Sequence, residues 1–216
     1  MSATTDHPEP ALSPSDAMRL LEREQRAHDA RIAAPVPAIL LTWGLAWPAI
    51  YLLLWAGGWV IPLTAAVTAA LAVLLVAVVL SAVLGARTGR GIRATPDAVF
   101  TGTVYGTSWT LGILGLAGIG WGLVVNGMPP ELVLLYAAVA YAFLTGFQFV
   151  IAAAIWRAVP SLVLGVWVVA LAVAAAFLGT PGGLLLLAVG GGLPLLGLAI
   201  AQTIRSRRAA SAASAA

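Results

Sequence analysis

Residues 61–84 read IPLTAAVTAALAVLLVAVVLSAVL, a run that contains no charged side chain. A transmembrane helix needs about 20 consecutive apolar residues, because the hydrocarbon core of a bilayer is about 30 Å thick and a helix rises about 1.5 Å per residue. The run is continuously apolar and lacks the alternation of a membrane barrel strand. We therefore predict that it crosses a bilayer as an α-helix.

Five further runs share this character, at residues 38–55, 98–125, 132–156, 161–178 and 184–204. The 216-residue chain is 61% hydrophobic and 9% charged, whereas soluble domains are roughly 25% charged. The sequence therefore predicts an all-α polytopic bundle of six transmembrane helices over residues 35–205, with the lipid bilayer as its surroundings.

The arginines predict how the six helices are oriented. All 11 cationic residues are Arg, and they fall before the first run, between the second and third, and after the fourth and sixth, at Arg19, Arg23, Arg26, Arg31, Arg87, Arg90, Arg93, Arg157, Arg205, Arg207 and Arg208. Short loops rich in positive charge stay on the cytoplasmic side. We expect a bacterial cytoplasmic membrane with both termini cytoplasmic, and no nucleic-acid partner, because topology alone accounts for the basic composition.

Residues 13–34 are predicted to form a cytosolic juxtamembrane helix, with Ser13 as its N-cap and Pro14 in its first turn. A narrow stripe with coiled-coil spacing runs along this segment, through Met18, Leu21, Gln25, His28 and Ile32. Two interpretations remain open: a helix that rests on the protein's own loops or on lipid headgroups, and a seam for a cytosolic or membrane protein partner. Residues 1–12 and 206–216 are predicted to be disordered tails.

The first apolar run carries the motif Trp43-Gly44-Leu45-Ala46-Trp47, followed by Pro48, which should bend the helix. Packing and anchoring at the membrane interface account for the aromatic ladder formed by Trp43, Trp47, Tyr51 and Trp55. A charged cytoplasmic helix that leads into this motif resembles small six-span membrane proteins of high-GC actinobacteria, over residues 13–55. The resemblance implies no activity and no site residue.

The absence of certain residue types limits the kinds of catalytic and metal site that this chain can form. The chain has no Cys and no Lys, and both histidines, His7 and His28, precede the first apolar run. No Asp, Glu, Lys, Arg or His lies inside any of the six runs. Proton relays, ion-coupled transport and intramembrane hydrolysis normally need such groups. We therefore predict that the protein is not an enzyme and uses no metal or other cofactor.

The connections between runs carry ordinary helix and turn signals. Thr95-Pro96-Asp97 is typical of a helix start, with an N-cap, a first-position proline and an acid in the first turn. Asn126-Gly127 and residues 180–183 are typical of tight turns. The third and fourth spans, and the fifth and sixth, are therefore expected to be antiparallel neighbours.

Glycine placement suggests where helices approach one another. The third run holds two small-xxx-small pairs, Gly102 with Gly106 and Gly118 with Gly122, on nearly opposite faces. This pattern predicts a central helix that packs on both sides. The sixth run contains residues 190–194, GGGLP. We consider two interpretations of it, a kink relieved by neighbouring helices and an unwound segment that offers its backbone to a ligand.

One polar seam inside the membrane is a candidate functional site. Helical spacing groups three hydroxyl residues on the third run and three polar residues on the fourth, namely Thr103, Thr107, Thr110, Tyr141, Thr145 and Gln148. At about 1.5 Å per residue, Thr107 and Gln148 lie at similar depth. The seam predicts either an interhelical hydrogen-bond cluster or a cytosol-facing cavity for a neutral or amphipathic ligand.

Two functions fit these observations. The first is a non-enzymatic component of a transport complex, since six spans with an amphipathic entry helix resemble in outline the permease subunits of ABC-type exporters. The alternative is a membrane scaffold or regulatory partner that acts through the N-terminal helix and the 87–97 loop.

Overall fold

The computed structural model describes residues 13, 15–20, 36–88 and 95–214. Six long helices account for most of them: α1 (Val36–Ala56), α2 (Leu63–Thr88), α3 (Pro96–Val125), α4 (Pro130–Trp156), α5 (Val159–Leu178) and α6 (Gly182–Ser214). All six are long and apolar enough to cross a membrane. The predicted all-α membrane bundle is confirmed, because each helix coincides with one of the six apolar runs.

The helix ends follow the local sequence signals. The Thr95 hydroxyl accepts a hydrogen bond from the backbone N–H of Ala98, and Pro96 begins α3, as predicted. Gly127 has a φ of 92° in the turn between α3 and α4, a conformation that glycine adopts without steric cost. Arg157 ends α4 in the left-handed region. Because only Arg157 and Ala158 separate α4 from α5, these two helices form a tight antiparallel pair.

The helices pack in the spatial order α2, α1, α6, α5, α4, α3, and α4 also touches α6. The most extensive contacts join α1 to α6 and α4 to α5. The helix α3 packs mainly on α4, and none of its residues is buried. The prediction of a central third helix was therefore wrong, because a Cβ at any glycine of its two pairs, Gly102 with Gly106 and Gly118 with Gly122, would meet no atom within 4 Å.

A close backbone approach between α4 and α5 involves two glycines that the sequence analysis did not single out. A Cβ on Gly146 of α4 would lie 2.8 Å from the backbone nitrogen of Val169 of α5. A Cβ on Gly165 of α5 would lie 2.8 Å from the carbonyl oxygen of Gly146. Buried alanines surround this contact, including Ala142 and Ala172. Small residues let the two backbones approach closely, which increases van der Waals contact inside the membrane.

The contact between α1 and α6 places large side chains against glycine. Trp47 is buried and donates its indole N–H to the carbonyl oxygen of Leu187, at 2.7 Å. A Cβ on Gly191 would collide with the Trp47 ring, and a Cβ on Gly192 would lie 2.8 Å from Pro48 Cδ. The two helices therefore cross where the Trp43–Pro48 motif of α1 packs against the glycine run of α6.

The ends of the described chain bear on two earlier predictions. Residues 15–20 are helical, and the Ser13 hydroxyl accepts from the backbone N–H of Asp16, as expected of an N-cap. The helix α6 continues to Ser214, and so it runs through most of the 206–216 segment that was predicted to be disordered. Alanine, which dominates that segment, has the highest intrinsic helix propensity.

Candidate functional site

Gln148 is the one buried polar side chain among the described residues, with 2% of its surface exposed. It lies on α4 and faces α3. Its Nε2 donates to the Ser108 hydroxyl at 2.9 Å, and the same hydroxyl lies 3.2 Å from Gln148 Oε1. The Ser108 hydroxyl also lies 2.7 Å from the carbonyl oxygen of Tyr105, to which it can donate. Gln148 and Ser108 therefore pair with each other, with the carboxamide buried and the hydroxyl half-buried.

Tyr105 completes this polar cluster, which we define as Tyr105, Ser108 and Gln148. The Tyr105 hydroxyl donates to the backbone carbonyl of Gln148 at 3.4 Å. Its ring meets Trp156 edge to face, with the two ring centroids 4.9 Å apart. Trp156 is the last residue of α4. The cluster thus joins α3 to the end of α4 that carries Arg157.

The predicted seam residues divide into two groups. Gln148 and Tyr141 of α4 reach α3, since the Tyr141 hydroxyl lies 3.4 Å from the carbonyl oxygen of Ile113. Thr145 donates to the carbonyl of Tyr141 on its own helix. Thr110 likewise lies near the carbonyl of Gly106 on its own helix. The structure does not bring these two threonines together.

Thr103 and Thr107 are exposed on α3. Each residue of an α-helix turns the side chain by about 100°, so the stripe of Thr103, Thr107 and Thr110 points away from the Tyr105 and Ser108 face. Gln148 therefore meets Ser108 instead of Thr107. Thr107 and Gln148 lie at similar depth, because Thr107 precedes Ser108 in the chain. Depth alone, however, does not determine which face of a helix turns toward its neighbour.

A sequence signal for the correct face existed in two glycines. A Cβ on Gly112 would lie 2.6 Å from Leu144, and a Cβ on Gly120 would lie 2.7 Å from the Tyr136 ring. Both glycines share the α3 face with Tyr105 and Ser108, at helical spacing. Large residues of α4 fill the space that these glycines leave, and the Tyr136 hydroxyl donates to the carbonyl of Leu116.

The glycine run of α6 does not unwind. The helix is continuous from Gly182 to Ser214. Pro194 lacks an N–H, which frees the carbonyl of Gly190 one turn earlier. The Trp167 indole N–H donates to that carbonyl at 2.8 Å. The unwound-segment interpretation is therefore wrong, and the freed backbone group is satisfied by a neighbouring helix instead of being open to a ligand.

An apolar groove of about 130 Å³ lies beside the crossing of α1 and α6, lined by residues that include Pro48, Leu52 and Leu196. Only apolar atoms line it. In a bilayer such a groove faces acyl chains, and it offers no group that would select a polar ligand.

The candidate partner stripe is described at one of its five residues. Met18 lies on the helical segment 15–20 and is 64% exposed. Leu21, Gln25, His28 and Ile32 lie outside the described residues. The stripe therefore remains a prediction.

The polar cluster has simple chemistry. A carboxamide, an aliphatic hydroxyl and a phenol supply neutral hydrogen-bond donors and acceptors. Among the described residues, no group of three His, Cys, Asp or Glu side chains is arranged to hold a metal ion. What the cluster does in this geometry is bind two helices together.

No family model matches the chain, and neither a curated protein nor a solved structure matches it.

Proposed function

We propose that this integral membrane protein is a non-enzymatic subunit of a transport complex, similar in outline to an ABC-type permease subunit. The observation that carries the proposal is the surface of α3. This helix buries none of its residues within the chain, and the exposed surface of its first half includes glycine and threonine, beside large apolar side chains such as Phe100 and Val104.

The composition of that surface favours a protein neighbour over lipid alone. Glycine and threonine are enriched where membrane helices approach one another, because small side chains allow close packing and hydroxyls bond across the interface. A Cβ at Gly102 or Gly106 would enter open space, and Thr103 and Thr107 lie next to these glycines on an exposed surface. A partner helix seated there would gain close contact with the backbone of α3.

The non-enzymatic part of the proposal rests on charge. The acidic side chains of the described helices lie in first turns, at Asp16, Asp97 and Glu131. Catalysis within a membrane usually depends on ionisable groups deep in the bundle. The polar cluster around Gln148 supplies only neutral groups, which favours binding over proton transfer.

Site-specific crosslinking tests the transport proposal. A photoreactive amino acid at Thr107, on the open face of α3, should capture another membrane subunit, and the purified assembly should contain an ATP-hydrolysing protein. The matched control is Ala170, which is exposed on α5 at the same distance from the start of its helix. Ala170 should capture lipid only. Recovery of the chain without an ATPase would contradict the transport proposal.

The same proposal includes the orientation inferred from the arginines, with both termini on the cytoplasmic side of a bacterial cytoplasmic membrane. A C-terminal alkaline phosphatase fusion should be inactive, and a C-terminal fluorescent protein should emit. An active phosphatase would overturn the orientation.

A second candidate function, a scaffold or regulatory partner, is favoured by one observation. Met18 and Leu20 expose 64% and 45% of their surfaces on the short helical segment 15–20, beside the exposed ion pair of Arg19 with Asp16. Exposed apolar residues ahead of the first span suit a partner helix or headgroups. In this case Met18→Glu should abolish recovery of a protein partner that is not an ATPase, while capture from Thr107 is unchanged.

A further inference from the structure

We propose that α3 is a displaceable helix, held on the bundle by a polar latch formed by Gln148 and Ser108, and that its release uncovers Gln148. This inference rests on how α3 is attached and does not depend on the proposed transport function.

The apolar contacts of α3 are thin. None of its residues is buried, whereas α5 and α6 bury several each, among them Val168, Ala172 and Leu187. In a bilayer, lipid chains replace lost apolar contacts almost equally well, because they are as apolar as leucine. Apolar packing therefore holds α3 against α4 mainly at Gly112 and Gly120, and polar contacts supply the rest of the attachment.

Four hydrogen-bonded side-chain contacts join α3 to α4, and they are not equivalent. Three involve tyrosine hydroxyls that reach backbone carbonyls, from Tyr105, Tyr136 and Tyr141. Helix carbonyls already accept bonds within their own helix, so losing a tyrosine leaves none of them without a partner. The fourth interaction, between Gln148 and Ser108, satisfies a carboxamide that is buried.

Release of α3 therefore affects Gln148 most. Ser108 keeps the Tyr105 carbonyl as a partner on its own helix. The Gln148 carboxamide would lose its Ser108 partner, and an unpaired amide in a bilayer is costly. The closed position is thus held by the Gln148–Ser108 bond, in which the carboxamide is buried, together with the three tyrosine hydroxyls.

The turn between α3 and α4 contains the link about which α3 can move relative to α4. Gly127 has a positive φ, and Pro129 precedes the start of α4 at Pro130. The Asn126 side chain donates to the carbonyl of Gly122 and closes the end of α3 independently of α4. The N–H groups of Gly127 and Met128 bond back to α3, and the carbonyl of Pro129 accepts from Leu132 of α4, so the link about which α3 can move as a rigid helix lies between residues 128 and 129.

Labelling of a single cysteine tests the latch, because the natural chain has no Cys. Leu144 of α4 lies beneath Gly112 of α3, and Leu196 of α6 lies beneath Gly44 of α1. Leu144→Cys reports on α3, and Leu196→Cys, in the apolar groove beside α1, is a control whose exposure should not depend on α3. The measurement is the rate of modification by a bulky, lipid-soluble maleimide, followed by mass spectrometry of the protein in nanodiscs.

Adding Gln148→Leu should raise the labelling rate of Leu144→Cys about three-fold or more, which corresponds to one interhelical hydrogen bond in a membrane protein. The rate at Leu196→Cys should not change. Ser108→Ala removes the same bond from the other side and should reproduce the effect, which also keeps the test valid if Gln148→Leu fails to fold. An unchanged rate at position 144, or an equal increase at both positions, would overturn the proposal.

Discussion

The α4–α5 interface and the first half of α3 both carry glycines. The glycines at the α4–α5 interface are closely packed, whereas those of α3 are open. Gly146 and Gly165 lie backbone to backbone at the centre of α4 and α5. Gly102 and Gly106 have the four-residue spacing associated with helix packing, and a Cβ on either would meet no atom of the described residues within 4 Å. A small-xxx-small motif therefore marks a surface that permits close approach, and it does not by itself tell which helix approaches.

The largest expected effect on stability is at the closely packed α4–α5 interface. In Gly146→Leu the new side chain would run into the backbone of α5, which cannot move aside without separating the helices. We expect a loss of about 3 kcal/mol in stability, near the upper end for overpacking. Thermal unfolding in mild detergent would measure it. A change below about 1 kcal/mol would show that the interface is looser than the structure indicates.

Trp47 tests the crossing of α1 and α6. Trp47→Phe removes the indole N–H that donates to Leu187 and leaves space beside Gly191. The expected loss is about 1.5 kcal/mol, from one buried hydrogen bond and a small cavity. Trp59→Phe is the matched control, because Trp59 is 77% exposed beyond the end of α1. Equal effects of the two substitutions on the melting temperature would contradict this assignment.

A double-mutant cycle examines the bond between Trp167 and Gly190. Trp167→Phe should cost about 0.6 kcal/mol, the mean for interhelical hydrogen bonds in a membrane protein. In a Pro194→Ala background, the restored N–H at residue 194 satisfies the Gly190 carbonyl within α6. The cost of Trp167→Phe should then become smaller. An identical cost in both backgrounds would show that the proline is irrelevant to this bond.

The smallest expected effect lies on the open side of the comparison. Gly106→Leu should change the stability of the isolated chain by less than about 0.5 kcal/mol, because its side chain would enter open space. The same substitution should strongly reduce crosslinking from Thr107 to a partner, since it blocks close approach. Loss of stability without loss of crosslinking would reverse our assignment of this face.

The polar cluster shows how far local patterns reach. Helical spacing placed Gln148 in the polar seam of the fourth span, and it is the buried polar side chain of the described residues. The depth estimate put Thr107 level with it, but Ser108 is its partner. The third span has hydroxyl residues on more than one face, so a pattern confined to one helix cannot choose between them.

The sequence by itself determined the class of this protein, the six spans and most helix ends. These features depend on local physics: apolar length against bilayer thickness, a threonine N-cap before Pro96, and glycine in the turn at residue 127. The tertiary structure alone decided that α3 lies at the edge, that Gly146 meets Gly165, and that Trp167 satisfies the carbonyl freed by Pro194. Inside a bilayer every face of each helix is apolar enough to meet lipid, so hydrophobicity does not orient the helices. Shape and a few hydrogen bonds between distant residues do so instead.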